Sequence, residues 1–364
     1  MNTTHPRAIA ALLLTLIVAA CGSGSGGASP AASTGAPSTA APSASEAAAS
    51  PTAPAEPAKV RLALDWTPNT NHTGFYVAQA KGWYDDAGIA LDVLPYGGTT
   101  PETILAAGQA ECGISFQDSL TFAVAAGAPI TSVMAILQHT AQEIAVLESS
   151  SITRPRQLDG KIYAGFGYPN EVPTLKSVIQ HDGGTGEFDV VTLDTAAYEA
   201  LYAKRADFVI TFAAWEGIEA GQRNIPLRTF KFTDYGFPDF YQVVLACNDD
   251  WLAANPDAAK AFVGVTVKGF EFAAANPDEA AQILVEQNPG VFDANKALPA
   301  ASQAYMTEQG LLTDASGAVG TQTLETWTGY SSFLYDQGLL VDANGKALTA
   351  PPDYATLFTT DFLP

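Results

Sequence analysis

The run Asp65-Trp66-Thr67-Pro68-Asn69-Thr70-Asn71-His72-Thr73-Gly74-Phe75-Tyr76-Val77-Ala78 gathers an indole, two amides, an imidazole and a phenol within fourteen residues. Trp66 offers a flat apolar face, and a planar ring laid on such a face gains about 1–3 kcal/mol, by analogy with bases stacked on aromatic side chains. Asn69 can donate and accept at once, which matches the alternating ring-nitrogen and amino edge of an aminopyrimidine. His72 is placed to touch such a guest, or to pair with Asp65 and cap the turn. Asn69 and Asn71 can equally serve to shape that turn. Further along, Trp215 also follows a predicted strand. Glu171 or Glu216 can accept two donors from an amino-substituted ring or neutralise a cationic one. A polar edge of this kind discriminates strongly, because the wrong guest leaves a buried group unpaired.

Other residues fall at strand ends. Gly165-Phe166-Gly167-Tyr168 can aim backbone amides at a carbonyl or anion where a helix starts, although a tight strand-to-helix turn accounts for the same residues. Tyr96, Gln117 and Asp118 also sit at strand ends, with Asp118 expected to cap a helix from Ser119 to Ala126. Tyr235 lies in a turn-rich joint, to pack there or to reach the guest. No Ser/His/Asp triad or clustered carboxylate pair can be read from the spacing. After residue 58 the three histidines, 72, 139 and 181, have no close spacing and the cysteines are not paired in sequence. That argues against a metal site, and no cofactor is expected.

Alternating elements must position these side chains. Strands are expected at 60–64, 89–94, 113–116, 131–137, 143–147, 162–166, 188–193, 207–211 and 243–246. Helices are expected between them, with starts at Thr100-Pro101-Glu102 and at the Asn-Pro pairs 255–256 and 276–277. The order predicts parallel α/β layers. Residues 59–364 number 306, more than one core usually serves. The expectation is two α/β lobes joined by crossings near 145 and 240: residues 59–145 with 243–364 form lobe 1, and 146–242 form lobe 2. The ends of their strands would meet across a cleft, where open α/β sheets bind ligands.

The first 58 residues do not belong to that fold. Arg7 and the apolar run Ala8–Ala20, too short to span a bilayer, read as a signal peptide over 1–20. Val18-Ala19-Ala20-Cys21-Gly22 is similar to a bacterial lipobox, in which Cys21 takes a lipid. Residues 21–58 are almost wholly Ala, Ser, Pro, Gly and Thr and read as a flexible tether. The expected place is outside the cytoplasm, held on the membrane by that lipid. Without Arg7, Glu46 and Glu56 the chain keeps 16 basic and 36 acidic residues, a formal charge of −20. Nucleic acid is thereby an unfavourable partner. Cys112 and Cys247 form one disulfide or remain two buried thiols; spacing alone leaves both open.

The motif Asp65–Ala78, the turn Ala80-Lys81-Gly82-Trp83-Tyr84 and the joint Asp234-Tyr235-Gly236-Phe237-Pro238-Asp239 resemble the extracytoplasmic solute-binding proteins of ABC importers. The resemblance is to the branch related to the yeast pyrimidine synthase of thiamine biosynthesis. It implies a periplasmic-binding-protein type II fold that closes on its ligand. It further implies a pyrimidine precursor of thiamine as cargo, hydroxymethylpyrimidine or formylaminopyrimidine, an ABC permease as partner and a monomeric receptor. Other members carry riboflavin-like or sulfonate ligands. The synthase uses pyridoxal phosphate and consumes a histidine, and His72 falls in the matching motif. Its clustered cysteines have no counterpart here, since Ala110-Glu111-Cys112-Gly113 holds one cysteine. A binding protein rather than an enzyme is the expectation.

Overall fold

Among the described residues ten strands form a five-stranded sheet in one layer and, in another, a three-stranded and a two-stranded sheet linked by a single bridge. A computed structural model describes residues 56–364; the expected signal segment, Cys21 and most of the tether lie outside them. The first sheet contains β1 (Ala58–Ala63), β2 (Ile89–Leu94), β3 (Cys112–Ser115), β4 (Ile130–Ala135) and β10 (Val244–Asn248), in the order β2-β1-β3-β10-β4. β1 runs parallel to β2 and β3, whereas β10 lies antiparallel between β3 and β4. Alternation in β1 buries Val60 and Leu62 and leaves Lys59 exposed. Cys112 and Cys247 face one another in the β3–β10 register and are joined as a disulfide.

The second layer comprises β5 (Gln142–Leu147), β6 (Ile162–Gly165), β7 (Asp189–Thr192), β8 (Val209–Phe212) and β9 (Leu227–Lys231). β8 and β9 flank β5 antiparallel, β6 pairs parallel with β7, and a bridge between Tyr163 and Phe208 joins the two groups. β5 belongs wholly to this layer, so the first crossing between lobes occupies 136–141, ahead of the boundary expected at 145. The second crossing follows β9. The two run side by side: the Val243 carbonyl accepts Ile136 N–H and Leu137 N–H at 2.8 and 3.1 Å. The Gln242 side-chain carbonyl accepts Ala141 N–H at 2.6 Å. β9 escapes the sequence pattern because only Phe230 of its five residues is buried, as an edge strand allows.

Both Asn-Pro pairs open helices, Pro256–Ala275 and Pro277–Gln287. Each asparagine amide donates back to the preceding helix, Asn255 to the Trp251 carbonyl and Asn276 to that of Phe272, both at 3.1 Å. Each pair is therefore a stop as well as a start. Helix Pro256–Ala275 lies hard against helix Thr73–Ala80, where a Cβ on Gly269 would come within 2.1 Å of the Gly74 carbonyl oxygen. Glycine permits that approach, and the approach anchors the segment that follows the Trp66 turn. Helix Leu324–Asp336 bridges the architecture. Its Tyr330 and Leu334, with Leu340 beyond it, enter the second lobe's core against Phe237 and Phe240. The C-terminal segment thus serves both lobes rather than the first alone.

Candidate functional site

The turn after β1 is built by its own polar side chains. Asn69 accepts from Asn71 N–H at 2.9 Å and donates to the Thr67 carbonyl at 3.1 Å. Its backbone N–H points to His72 Nδ1 at 3.3 Å, and His72 Nε2 lies 2.7 Å from the Asp65 carboxylate. Because Nδ1 accepts, the network assigns the ring proton to Nε2, donated to Asp65. His72 is 0% exposed, so both ring nitrogens are spent inside the turn. These bonds hold the chain so that Trp66 stands outward, 39% exposed, beside Tyr96 at 5.4 Å between ring centroids. Trp66 and Tyr96 form an aromatic wall on lobe 1.

Below that wall lie two acids. The Ser115 hydroxyl donates to Glu102, and Asp118 accepts from Ser119 N–H at 2.8 Å and from the Asn170 amide at 2.7 Å. Burial raises both carboxyl pKa values. The helix here is Gln117–Ala125, so Asp118 lies within its first turn instead of preceding it. Gln117 is turned inward: its amide donates to the Thr326 and Trp327 carbonyls, both at 3.1 Å, and its carbonyl accepts from Tyr241 N–H at 2.9 Å. With no exposure and every strong group engaged, Gln117 braces the base of the cleft.

Lobe 2 contributes the loop after β6. Glu171 folds back to accept Phe166 N–H and Gly167 N–H, each at 3.1 Å. The two amides that sequence reasoning offered to an external anion are thus occupied by an internal one. Gly167 has φ of +99°, and a Cβ there would meet Thr192 at 2.9 Å, so the loop requires glycine. Phe166 stacks near Tyr168 at 6.5 Å, and Gly165 ends β6 beneath them. Tyr168 is 64% exposed and within electrostatic reach of Tyr96 and Asp118, which places it at the rim facing lobe 1.

Next to this loop, Tyr198 of helix Ala196–Tyr202, Thr211 of β8 and Glu216 just past β8 gather buried side-chain oxygens, of which Glu216 Oε2 has no hydrogen-bond partner; the Tyr198 and Thr211 hydroxyls neighbour one another, and Tyr163 Oη of β6 neighbours Glu171. The Tyr198 phenol also neighbours Glu216 and Tyr163. Burial first, with the nearby Glu219 charge adding, pushes the Glu216 carboxyl up to about 7. Orphaned groups of this kind are uncommon in folded proteins. Sequence reasoning missed Tyr163, Tyr198 and Thr211, because an inward hydroxyl on a strand or helix has no local signature.

Two expected residues lie apart from this group. Trp215 packs with Tyr76, Leu284 and Phe292 of lobe 1. Tyr235 neighbours Arg154 and Asp182, beyond the far end of helix Glu171–His181 and about 16 Å along its axis from Glu171. Two surface hollows, of about 360 and 260 Å³, lie along that helix and beside the crossings; Trp66, Tyr96, Tyr198 and Glu216 line neither. Among the described residues, no three His, Cys, Asp or Glu side chains gather as a metal site. Acids and hydroxyls dominate the site, so it suits a guest that brings N–H donors or positive charge. A phosphate or sulfonate would find the Phe166 and Gly167 amides already taken by the Glu171 carboxylate and, among the described residues, no basic side chain beside them. Pyridoxal phosphate fits poorly for the same reason, and because His72 is already engaged.

Residues 69–280 match the family described as NMT1/THI5 like. The chain belongs to this family. It is 27% identical over 281 residues to the formylaminopyrimidine-binding protein of Halalkalibacterium halodurans, covering 76% of this chain and 84% of that one. It is 24% identical over 246 residues to the 4-amino-5-hydroxymethyl-2-methylpyrimidine phosphate synthase THI11 of Saccharomyces cerevisiae, covering 64% and 72%. The alkanesulfonate-binding protein SsuA from Xanthomonas axonopodis pv. citri, solved bound to MOPS, superposes with a TM-score of 0.61 at 15% identity, covering 85% of this chain and 99% of that one. The NMT1/THI5-like chain therefore has the periplasmic-binding-protein fold. The relatives of this chain include both a protein named for binding and proteins named as synthases.

Proposed function

We propose that this chain is the binding component of an ABC importer and captures an aminopyrimidine precursor of thiamine, formylaminopyrimidine or hydroxymethylpyrimidine. Two features support the reading: the exposed Trp66–Tyr96 wall on lobe 1, and the buried acid and hydroxyl groups gathered on lobe 2. A pyrimidine ring stacks on the indole while its amino and ring-nitrogen edge meets Glu216 and the Tyr198 and Thr211 hydroxyls. Asp118 and Tyr168 stand on the two sides of the opening. Closure is a population shift, driven by ligand contacts that both lobes make only when close together.

The binding relative supports transport over synthesis. So does the state of His72, whose imidazole is enclosed and held at both nitrogens. The receptor would work outside the cytoplasm as a monomer, tethered through a lipid on Cys21, and would hand its cargo to a permease. No helix among the described residues is long and apolar enough to cross a membrane, so attachment would rest on the N-terminal segment.

The test is calorimetric titration of the purified chain with hydroxymethylpyrimidine, formylaminopyrimidine, riboflavin, taurine and an alkanesulfonate. Saturable binding of a pyrimidine and none of a sulfonate is expected. Sulfonate binding without pyrimidine binding would overturn the assignment. Formation of a pyrimidine phosphate on incubation with pyridoxal phosphate and iron would overturn the non-enzymatic role.

A further inference from the structure

The turn Ala213–Gly217 leaves β8 beside the first crossing, where Ala213 N–H donates to the Ala141 carbonyl at 2.8 Å. Its backbone is π-helical, a rare form found mostly at functional positions. The turn belongs by sequence to lobe 2, yet Ala214 and Trp215 pack against lobe 1. Ala214 joins the first core, and its carbonyl accepts the Ser302 hydroxyl, which also lies 2.7 Å from Thr70 Oγ1. Trp215 packs among Tyr76, Val93, Leu284, Val285 and Phe292, its ring 6.4 Å from that of Phe292 and nearly edge-on. Just beyond, the Asn295 amide donates to Gln222 at 2.7 Å.

Two adjacent covalent crossings define an axis about which one lobe can swing on the other. A packed contact between the lobes in addition to those crossings resists the swing. We infer that Trp215 and Phe292 form a third, non-covalent strut between the lobes, and that Trp215 is a positioning residue. It sets the angle between lobes and the direction of the adjacent Glu216 carboxyl, and does not itself stack on the cargo. The affinity part of this inference rests on the solute-binding reading; the strut itself does not, because it is a contact between parts of the chain itself.

The experiment compares Trp215→Ala, Phe292→Ala, the double variant and Trp215→Phe. Dyes on Lys260→Cys and Arg205→Cys report the distance between lobes by single-molecule energy transfer in ligand-free protein. Calorimetry with formylaminopyrimidine reports affinity. Both alanine variants should broaden the ligand-free distance distribution and weaken binding about 2- to 13-fold, as expected for losing a packed aromatic pair. The double variant should fall well short of the product of the singles, the mark of one shared interaction. Trp215→Phe should restore most of the distance distribution. Phe292→Leu, which keeps apolar volume, guards against simple unfolding and should give an intermediate shift.

The strut is overturned if Trp215→Ala weakens binding while Phe292→Ala changes neither affinity nor distance, for the indole then touches cargo. Unchanged distances in both alanine variants overturn it as well. If formylaminopyrimidine does not bind at all, the transport reading fails while the distance measurement still decides the strut.

Discussion

Replacing Glu216 with glutamine removes one ionisation while nearly preserving shape. The buried carboxyl has its pKa raised from 4.5 to about 7, chiefly by lost solvation. A raised carboxyl favours folding while protonated, and that advantage is complete below its unfolded pKa. It is lost as pH rises through the folded value. At about 1.4 kcal/mol per pH unit, the wild-type chain loses on the order of 3 kcal/mol between pH 4.5 and 7 from this group alone. The glutamine variant loses none of it. For a domain of this size, thermal midpoints move by about 2 °C per kcal/mol, so the variant should gain roughly 5 °C over wild type at pH 8 relative to pH 5. Differential scanning calorimetry of the two proteins at both pH values is the assay, and subtraction cancels Asp118, Glu102 and every other shared titration. The same variant should bind an aminopyrimidine more weakly, because glutamine offers one acceptor oxygen and an NH2 donor where the carboxylate offers two acceptor oxygens. A wild-type-to-variant difference that is equal at pH 5 and pH 8 would refute the claim that burial raises the Glu216 carboxyl.

Trp66→Ala should weaken pyrimidine binding more than tenfold with an unchanged circular dichroism spectrum, since stacking of this kind is worth about 1–3 kcal/mol; equal affinities by calorimetry would take Trp66 out of the site. His72→Ala should cost stability, about 1–3 kcal/mol, by leaving the Asp65 carboxylate and the Asn69 N–H unpaired, measured by urea unfolding. Converting Cys112 and Cys247 together to alanine should lower stability by about 3–5 kcal/mol, because the bond closes a long loop across 135 positions of sequence; denaturation curves that coincide with wild type would contradict it.

Much of the frame was legible residue by residue. β2 matches its expected span, β1, β3, β5 and β10 shift by one or two residues at an end, and both Asn-Pro helices start where proline dictates. These follow from local rules: alternation, breakers and the missing proline N–H act within a few residues. β9 was invisible because an edge strand need bury little. The π-helical turn at 213–217 reads as an ordinary helix start, since nothing local distinguishes the two.

For the site, sequence alone determined that aromatic and amide groups would cluster after the first strand, that the chain is strongly acidic, and that two α/β lobes were needed to bury its apolar residues. Tertiary structure decided which of those groups remain free. Asn69 and His72 satisfy the turn itself, Gln117 satisfies the lobe base, and Glu171 occupies the amides of its own loop. It also brought Tyr163, Thr211 and Glu216 around Tyr198, residues up to 53 positions apart. A polar side chain's role depends on whether its hydrogen bonds are already met, and most of those partners arrive only when distant strands and helices pack together.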